Sequence, residues 1–276
     1  MAWDPSGDVA GLTCRTTGVD NDCTVELVTD SDADFALDDE TGVLVETISG
    51  GFLGRIEAPS IAWDSSGNAV AGYLRRRLAA PEVVVAHDLD GDGLFTGPNE
   101  VVVLDTPVSP ASNLGEVAAG PGAAVAYAYR SENRKVTVQR DPEGDGSYVA
   151  ASATATGMAF VSCVGADYDA SGDLVVAYGS PGGVVLWRPA SNTKVTLSTD
   201  PATACDVLGG AGGVAVVHNA GGLTLVSDRD QDGTLESELV LETPTTATLL
   251  ELRRAADGRP HIATQDRVLV DPFPAP

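Results

Sequence analysis

The chain has 276 residues, with 40 Asp and Glu against 16 Lys and Arg, a formal net charge of −24 and a pI near 4.1. A field of that sign repels phosphate backbones and anionic lipid surfaces, which argues against nucleic acid and membrane-surface partners, and no apolar run is long enough to span a bilayer. Aromatic residues make up only 5% while Gly (31) and Pro (16) are abundant, so a core must be built from Val, Leu, Ala and Gly between many turns.

In chain order the sequence reads as six versions of one unit. Residues 1–50 open on Met1-Ala2-Trp3-Asp4, which matches the second half of the later strand Ile61-Ala62-Trp63-Asp64; Cys14 and Cys23 then flank a hairpin, and Asp30, Asp32 and Asp34 alternate without a following glycine. Residues 51–107 carry the turn Asp64-Ser65-Ser66-Gly67, the runs Val83–Val85 and Val101–Val103, and between them Asp88-Leu89-Asp90-Gly91-Asp92-Gly93 with Glu100 beyond. Residues 108–157 repeat the plan with Gly122 and the acidic loop Asp141-Pro142-Glu143-Gly144-Asp145-Gly146. Residues 158–200 hold Cys163, Asp169-Ala170-Ser171-Gly172 and Leu174–Val176 but no acidic loop. Residues 201–244 hold Cys205, Gly213, Asp228-Arg229-Asp230-Gln231-Asp232-Gly233 and Glu238. Residues 245–276 stop after a third strand, Arg267–Val270, and end in the proline-rich tail Asp271–Pro276. That incomplete unit, together with the half-strand at the start, favours a trimmed chain or a processed precursor.

The turn glycines Gly7, Gly67, Gly122, Gly172, Gly213 and Gly258 recur at intervals of 60, 55, 50, 41 and 45 residues. Short β-branched runs at such a period, with no helical periodicity, predict an all-β fold: a β-propeller of six blades, each of four antiparallel strands, the last three-stranded if the chain is whole. A β-sandwich pair and a parallel β-helix are the alternatives. The continuous apolar runs fit blades buried on both faces. Cys14 and Cys23 are expected to bridge facing strands, and Cys163 and Cys205, 42 residues apart at the starts of consecutive inner strands, to staple two blades. An even cysteine count that pairs this way points to an oxidising compartment, hence a secreted, extracellular or periplasmic protein.

The acidic loops carry the specific chemistry. Asp88, Asp90 and Asp92, and Asp228, Asp230 and Asp232, place three carboxylates at alternate positions before a glycine; a hard cation needs six to eight oxygens, and calcium is the expected ion. Glu100 and Glu238 can close the two shells, at offsets of 12 and 10 from the first aspartate, so neither loop has the EF-hand spacing. Asp141, Glu143 and Asp145 form a weaker copy without a closing acid. A solvated Asp-Gly turn is the competing account for any single loop.

The strand-DxSG-strand element, as in IAWDSSGNAVAGY, DYDASGDLVVAY and RAADGRPHIAT, resembles NHL-type and related secreted bacterial propeller repeats, and the acidic loops resemble the calcium hairpins of integrin-alpha-type propellers. The resemblance implies a calcium-stabilised binding or structural module with an unknown protein or glycan ligand. It also implies a rival, a metal-dependent hydrolase, lactonase or lyase using inner-strand groups in the central channel. Glu57, Asn113, Glu116, Asp167, Asp206 and Glu251 are its candidates, and His87, His218 and His261 are the only histidines. No GxSxG or HExxH is present. Small residues on the expected inner strands, Gly115, Ala118, Ala119, Gly165, Gly209 and Gly210, favour a non-catalytic scaffold.

Overall fold

In a computed structural model, the structure describes residues 2–3, 9–17, 22–29, 42–48, 55–76, 81–105, 114–132, 135–154, 160–210, 213–220, 222–228, 232, 234–235, 237–242, 250–254, 260–264 and 268–270. The described residues form strands and turns, with no helix among them. Six sheets follow one another along the chain. The first is β1 (Ala2–Trp3), β2 (Val9–Thr17), β3 (Asp22–Thr29) and β4 (Val43–Ile48), and the second is β5 (Arg55–Trp63), β6 (Ala69–Arg76), β7 (Glu82–His87) and β8 (Val101–Asp105). The third comprises β9 (Gly115–Ala119), β10 (Val125–Glu132), β11 (Lys135–Asp141) and β12 (Val149–Thr154). The fourth comprises β13 (Cys163–Tyr168), β14 (Leu174–Ser180), β15 (Gly183–Arg188) and β16 (Thr193–Ser198). The fifth is β17 (Ala202–Leu208), β18 (Ala215–Ala220), β19 (Leu223–Ser227) and β20 (Ser237–Glu242), and the sixth has three strands, β21 (Leu250–Arg254), β22 (Pro260–Thr264) and β23 (Val268–Val270). Each is an up-and-down meander in which sequential strands are hydrogen-bonded neighbours.

Two compact units divide the chain: Met1–Glu132 with Gln139–Ala150, and Asn133–Val138 with Ala151–Pro276. In unit 1, β2 packs against β5 and β5 against β9; in unit 2, β13 packs against β17 and β17 against β21. Below the described turns lies an apolar seam between each such pair of sheets. Val25, Ile48, Tyr73 and Val84 belong to one in unit 1, and Val175, Leu186, Val207 and Val216 to one in unit 2. The small residues expected on first strands are there for close approach: a Cβ on Gly165 would stand 2.7 Å from Asp206 Oδ1 and 2.8 Å from Asp206 Cα, so β13 and β17 nearly touch at that point.

The DxSG turns fold by one device. Asp64 Oδ1 accepts the N–H of Ser66 and of Asn68 at 2.8 and 2.9 Å, and Asp169 Oδ1 accepts those of Ser171 and Asp173, both at 3.0 Å. Gly67 and Gly172 take φ of 85° and 83°, which a side chain would strain. Gly122 and Gly213 also take positive φ, whereas Gly7 and Gly258 lie outside the described residues.

Three expectations need correction. Fourth strands are not buried on both faces: β16 is exposed over its first four residues, because an outermost strand has a neighbour on one edge only. Cys14 and Cys23 are bonded with Cα atoms 5.5 Å apart, but they are diagonal neighbours, since the register pairs Cys14 with Val25 and Cys23 with Thr16. Cys163 and Cys205 are bonded as expected, also at a Cα separation of 5.5 Å, yet Cys205 is the fourth residue of β17 and does not open it.

Candidate metal centre

The loop between β7 and β8 is built by its first aspartate. Asp88 is 5% exposed, and its Oδ1 and Oδ2 accept the N–H groups of Gly91 and Gly93 at 2.9 and 3.0 Å. Both glycines take positive φ, 73° and 78°, so that their N–H groups turn inward to that carboxylate. Phe95, buried in the unit 1 core, anchors the far side of the loop, and the His87 N–H donates to Glu100 O at 2.8 Å, bringing the end of the loop back to its start. Glu100 is 2% exposed and its Oε2 accepts the Gly97 N–H.

The outcome is that Asp88, Asp90 and Glu100 each offer a carboxylate oxygen within 4.8 Å of the others. Two like charges at that distance repel by about 3 kcal/mol at an effective dielectric constant of 20. The inward N–H groups offset part of this, and a divalent cation would remove it. Asp92 is not in the group; its Oδ1 accepts the Leu94 N–H at 2.8 Å, as Asp90 Oδ1 accepts the Asp92 N–H at 3.2 Å.

The floor of the loop is the DxSG turn of the same sheet, a support the spacing alone did not reveal. His87 Nε2 lies 3.2 Å from Asp64 Oδ2, both side chains buried, and Asn68 Nδ2 donates to the same oxygen at 3.2 Å. Burial alone would raise the Asp64 carboxyl, but the Asn68 N–H, the His87 ring and the Ser66 N–H hold it below its ordinary value. A Cβ on Gly91 would stand 3.0 Å from Asn68 Oδ1, so turn and loop are in contact. The position of His87 immediately before Asp88 was the one sequence signal for this pairing.

The loop after β11 repeats the geometry without the closing acid. Asp141 is fully buried; its Oδ1 accepts the N–H groups of Gly144 and Asp145, and its Oδ2 that of Gly146 at 2.7 Å. Asp145 Oδ1 accepts the Ser147 N–H at 2.8 Å as Asp92 does that of Leu94, and Glu143 is exposed. In unit 2, Asp228 is 4% exposed and donates its N–H to Val214 O at 2.8 Å, the counterpart of Asp88 N–H to Ala69 O at 3.1 Å. Asp232 Oδ1 accepts the Thr234 N–H at 2.7 Å. Asp230 lies outside the described residues, as do the side chain of Glu238 and the acidic stretch of residues 30–40.

Three of the inner-strand candidates for catalysis, Asp206, Asp167 and Glu57, are occupied with structural work. Asp206, 1% exposed, accepts the Val207 N–H on Oδ1 at 2.7 Å and the Leu252 N–H of the next sheet on Oδ2 at 2.6 Å. Asp167 Oδ2 accepts the Gly209 N–H at 2.7 Å, and Ser60 Oγ accepts the Val117 N–H at 3.1 Å. The bonds to the Leu252, Gly209 and Val117 N–H groups each run from the first strand of one sheet to the chain at or just after the first strand of the next. Glu57 pairs with Arg55 and Arg76, both at 2.7 Å. Asn113 and the side chain of Glu251 lie outside the described residues.

No family model matches the chain, and no curated protein does. Among solved structures it is similar to a fungal lectin from Aleuria aurantia, a six-bladed β-propeller that recognises fucose, with a TM-score of 0.51 and 12% identity over 99% of this chain and 93% of the lectin. The fold is a β-propeller. It is also similar to an α-L-arabinanase from Penicillium chrysogenum, with a TM-score of 0.49 and 16% identity over 78% of this chain and 67% of that one.

Proposed function

We propose that this propeller is a secreted, calcium-stabilised binding or structural module with no catalysis of its own. The observation that carries the reading is the convergence of Asp88, Asp90 and Glu100, two of them buried, at the end of a loop whose backbone N–H groups already face inward. Hard oxygen donors in a flexible loop suit calcium, which accepts irregular shells completed by carbonyls and water. Asp92 stands at the edge of this site. The loop of Asp228, Asp230 and Asp232 with Glu238 is the second site, and that of Asp141, Glu143 and Asp145 is weaker. The loops join third to fourth strands, away from the first strands, so the ion's role is to hold hairpins together. The two disulfides support a secreted setting.

The hydrolase reading draws less support, because Glu57, Asp167 and Asp206 already hold neighbouring strands and side chains. The test is thermal unfolding with calcium and with chelator. At a hundredfold excess over its dissociation constant the ion stabilises by about 2.7 kcal/mol, a rise in melting temperature of about 5–10 °C for a chain of this size. Asp88→Asn with Asp90→Asn should remove most of the response at unit 1. A melting curve identical in calcium and chelator would overturn the proposal.

A further inference from the structure

Unit 2 contains a recess that the fold does not account for, bordered on one side by Asp228 and Asp232 of the proposed second calcium loop. It opens at the seam between the sheet β13–β16 and the sheet β17–β20. One part, about 290 Å³, is walled by Leu186, Val195, Val214 and Leu235, with Arg188 and Asp228 on its polar side. Arg188, Val214 and Asp228 also border a neighbouring hollow of about 370 Å³, whose far side carries Asp169, Asp173 and Asp232. Leu186 and Val214 belong to the buried seam, and Leu235 packs on its edge. Val195 sits at the rim, 46% exposed, so the apolar seam is left unclosed here.

The polar side is organised before any ligand arrives. Arg188 NH1 donates to Asp169 Oδ2, and Asp169 is itself fixed by the N–H groups of Ser171 and Asp173 and by the Ser171 hydroxyl at 2.6 Å. A guanidinium carries five N–H donors, so donors beyond that pair border the recess beside the carboxylates of Asp173, Asp228 and Asp232. Four aspartates around one arginine disfavour an anion. An organic cation meets the guanidinium at the junction, whose like charge opposes it. A neutral ligand with hydroxyls that both donate and accept, and with one alkyl edge, matches every part of the lining.

We propose that this recess binds a neutral sugar ring bearing a methyl group in place of a hydroxymethyl, that is, a 6-deoxyhexose unit. The methyl faces Leu186, Val195, Val214 and Leu235, and the ring hydroxyls bond Arg188 and the aspartates. This rests on the binding-module reading and gives it a ligand class and a place; it does not depend on an ion in the Asp88 loop, and it shares Asp228 and Asp232 with the proposed second calcium loop.

The test is saturation-transfer NMR on the whole chain with methyl α-L-rhamnoside and methyl α-L-fucoside, each paired with its 6-hydroxy counterpart, the L-mannoside and the L-galactoside. At least one deoxy sugar should receive transfer strongest at its methyl protons and bind several-fold more tightly than its counterpart. Arg188→Ala should weaken binding tenfold or more. Because that change also breaks the Asp169 pair, Val195→Trp is the second variant: it fills the rim from an exposed position and should block binding with the melting temperature retained. Absence of transfer from all four glycosides, binding untouched by Val195→Trp, or saturable binding of n-butylammonium without any sugar binding would each overturn the assignment. The calcium reading fails by a different measurement, a melting curve unmoved by chelator.

Discussion

Loss of the Asp206 carboxylate should be costly to this fold, because it ties one sheet to the next. It is 1% exposed, and its two carboxylate oxygens accept two buried N–H groups, Val207 at 2.7 Å and Leu252 at 2.6 Å, the second from the first strand of the following sheet. In Asp206→Ala both N–H groups lose the carboxylate that accepts them, at a place where β13 and β17 approach closely beside Gly165. An orphaned buried donor costs about 1–3 kcal/mol, and the gain from no longer burying a charge offsets part of the sum, leaving about 2–4 kcal/mol. For a chain of this size that corresponds to a fall in melting temperature of about 4–16 °C. Asp206→Asn keeps one carbonyl acceptor and should lose about half as much. Thermal and urea unfolding read the stability, and hydrogen exchange at the Leu252 amide reads the bond itself. If Asp206→Ala melts within about 1 °C of the parent, or the Leu252 amide keeps its protection, the reasoning fails.

Four further outcomes are expected. Cys163→Ser with Cys205→Ser should lose about 4 kcal/mol by loop entropy for a separation of 42 residues, and the intact protein should show no alkylatable thiol before reduction. Arg75→Met should destabilise by about 3–5 kcal/mol, because it leaves Glu46 and Glu82 half-buried without the guanidinium that both contact, Glu82 at 2.8 Å; urea unfolding checks it. The Asp64 carboxyl is held below its ordinary value of 3.8 in the folded protein, so its contribution is present above that value and lost as pH falls through the lower folded one; Asp64→Asn should therefore flatten the stability decline below about pH 4. Gly183→Ala, at φ 123° and with its Cβ placed 2.1 Å from Ser198 O, should destabilise the β14–β15 hairpin, measured by the melting temperature.

Period and punctuation were legible in the sequence because each describes one sheet at a time. The spacing of Gly67, Gly122, Gly172 and Gly213 and the short β-branched runs are local consequences of a meander, so the strand count per sheet and the three-stranded last sheet follow from them. Contacts between sheets were less legible. Gly165 and Gly209 were read as small and inner, but not as the places where neighbouring strands meet, which depends on the register of two sheets. Asp167 and Asp206 looked like channel carboxylates for the same reason: the sequence shows an acid on an inner strand, not the N–H 42 or 46 positions away that it accepts from. In the acidic loop, alternate spacing did not distinguish Asp90, which joins the carboxylate group, from Asp92, which does not, although each accepts the N–H two residues on.

The comparison of the Asp88 and Asp141 loops separates what builds such a hairpin from what could load it. Both first aspartates are buried, and both accept N–H groups from the third and fifth residues after them, at distances within 0.3 Å of each other for each bond. The N–H cage is thus a folding device, and it forms where no closing acid exists. It also explains how a chain of net charge −24 tolerates buried carboxylates at Asp88 and Asp141, which receive two and three backbone donors. Glu100 is different. It adds a second buried carboxylate to the Asp88 loop that the Asp141 loop lacks, and it accepts one backbone N–H, that of Gly97. A buried carboxylate set beside two others raises the energy of the hairpin, a cost that a bound cation would offset. On the calcium reading proposed above, Glu100 is therefore the side chain that would distinguish the Asp88 loop from the Asp141 loop as a site.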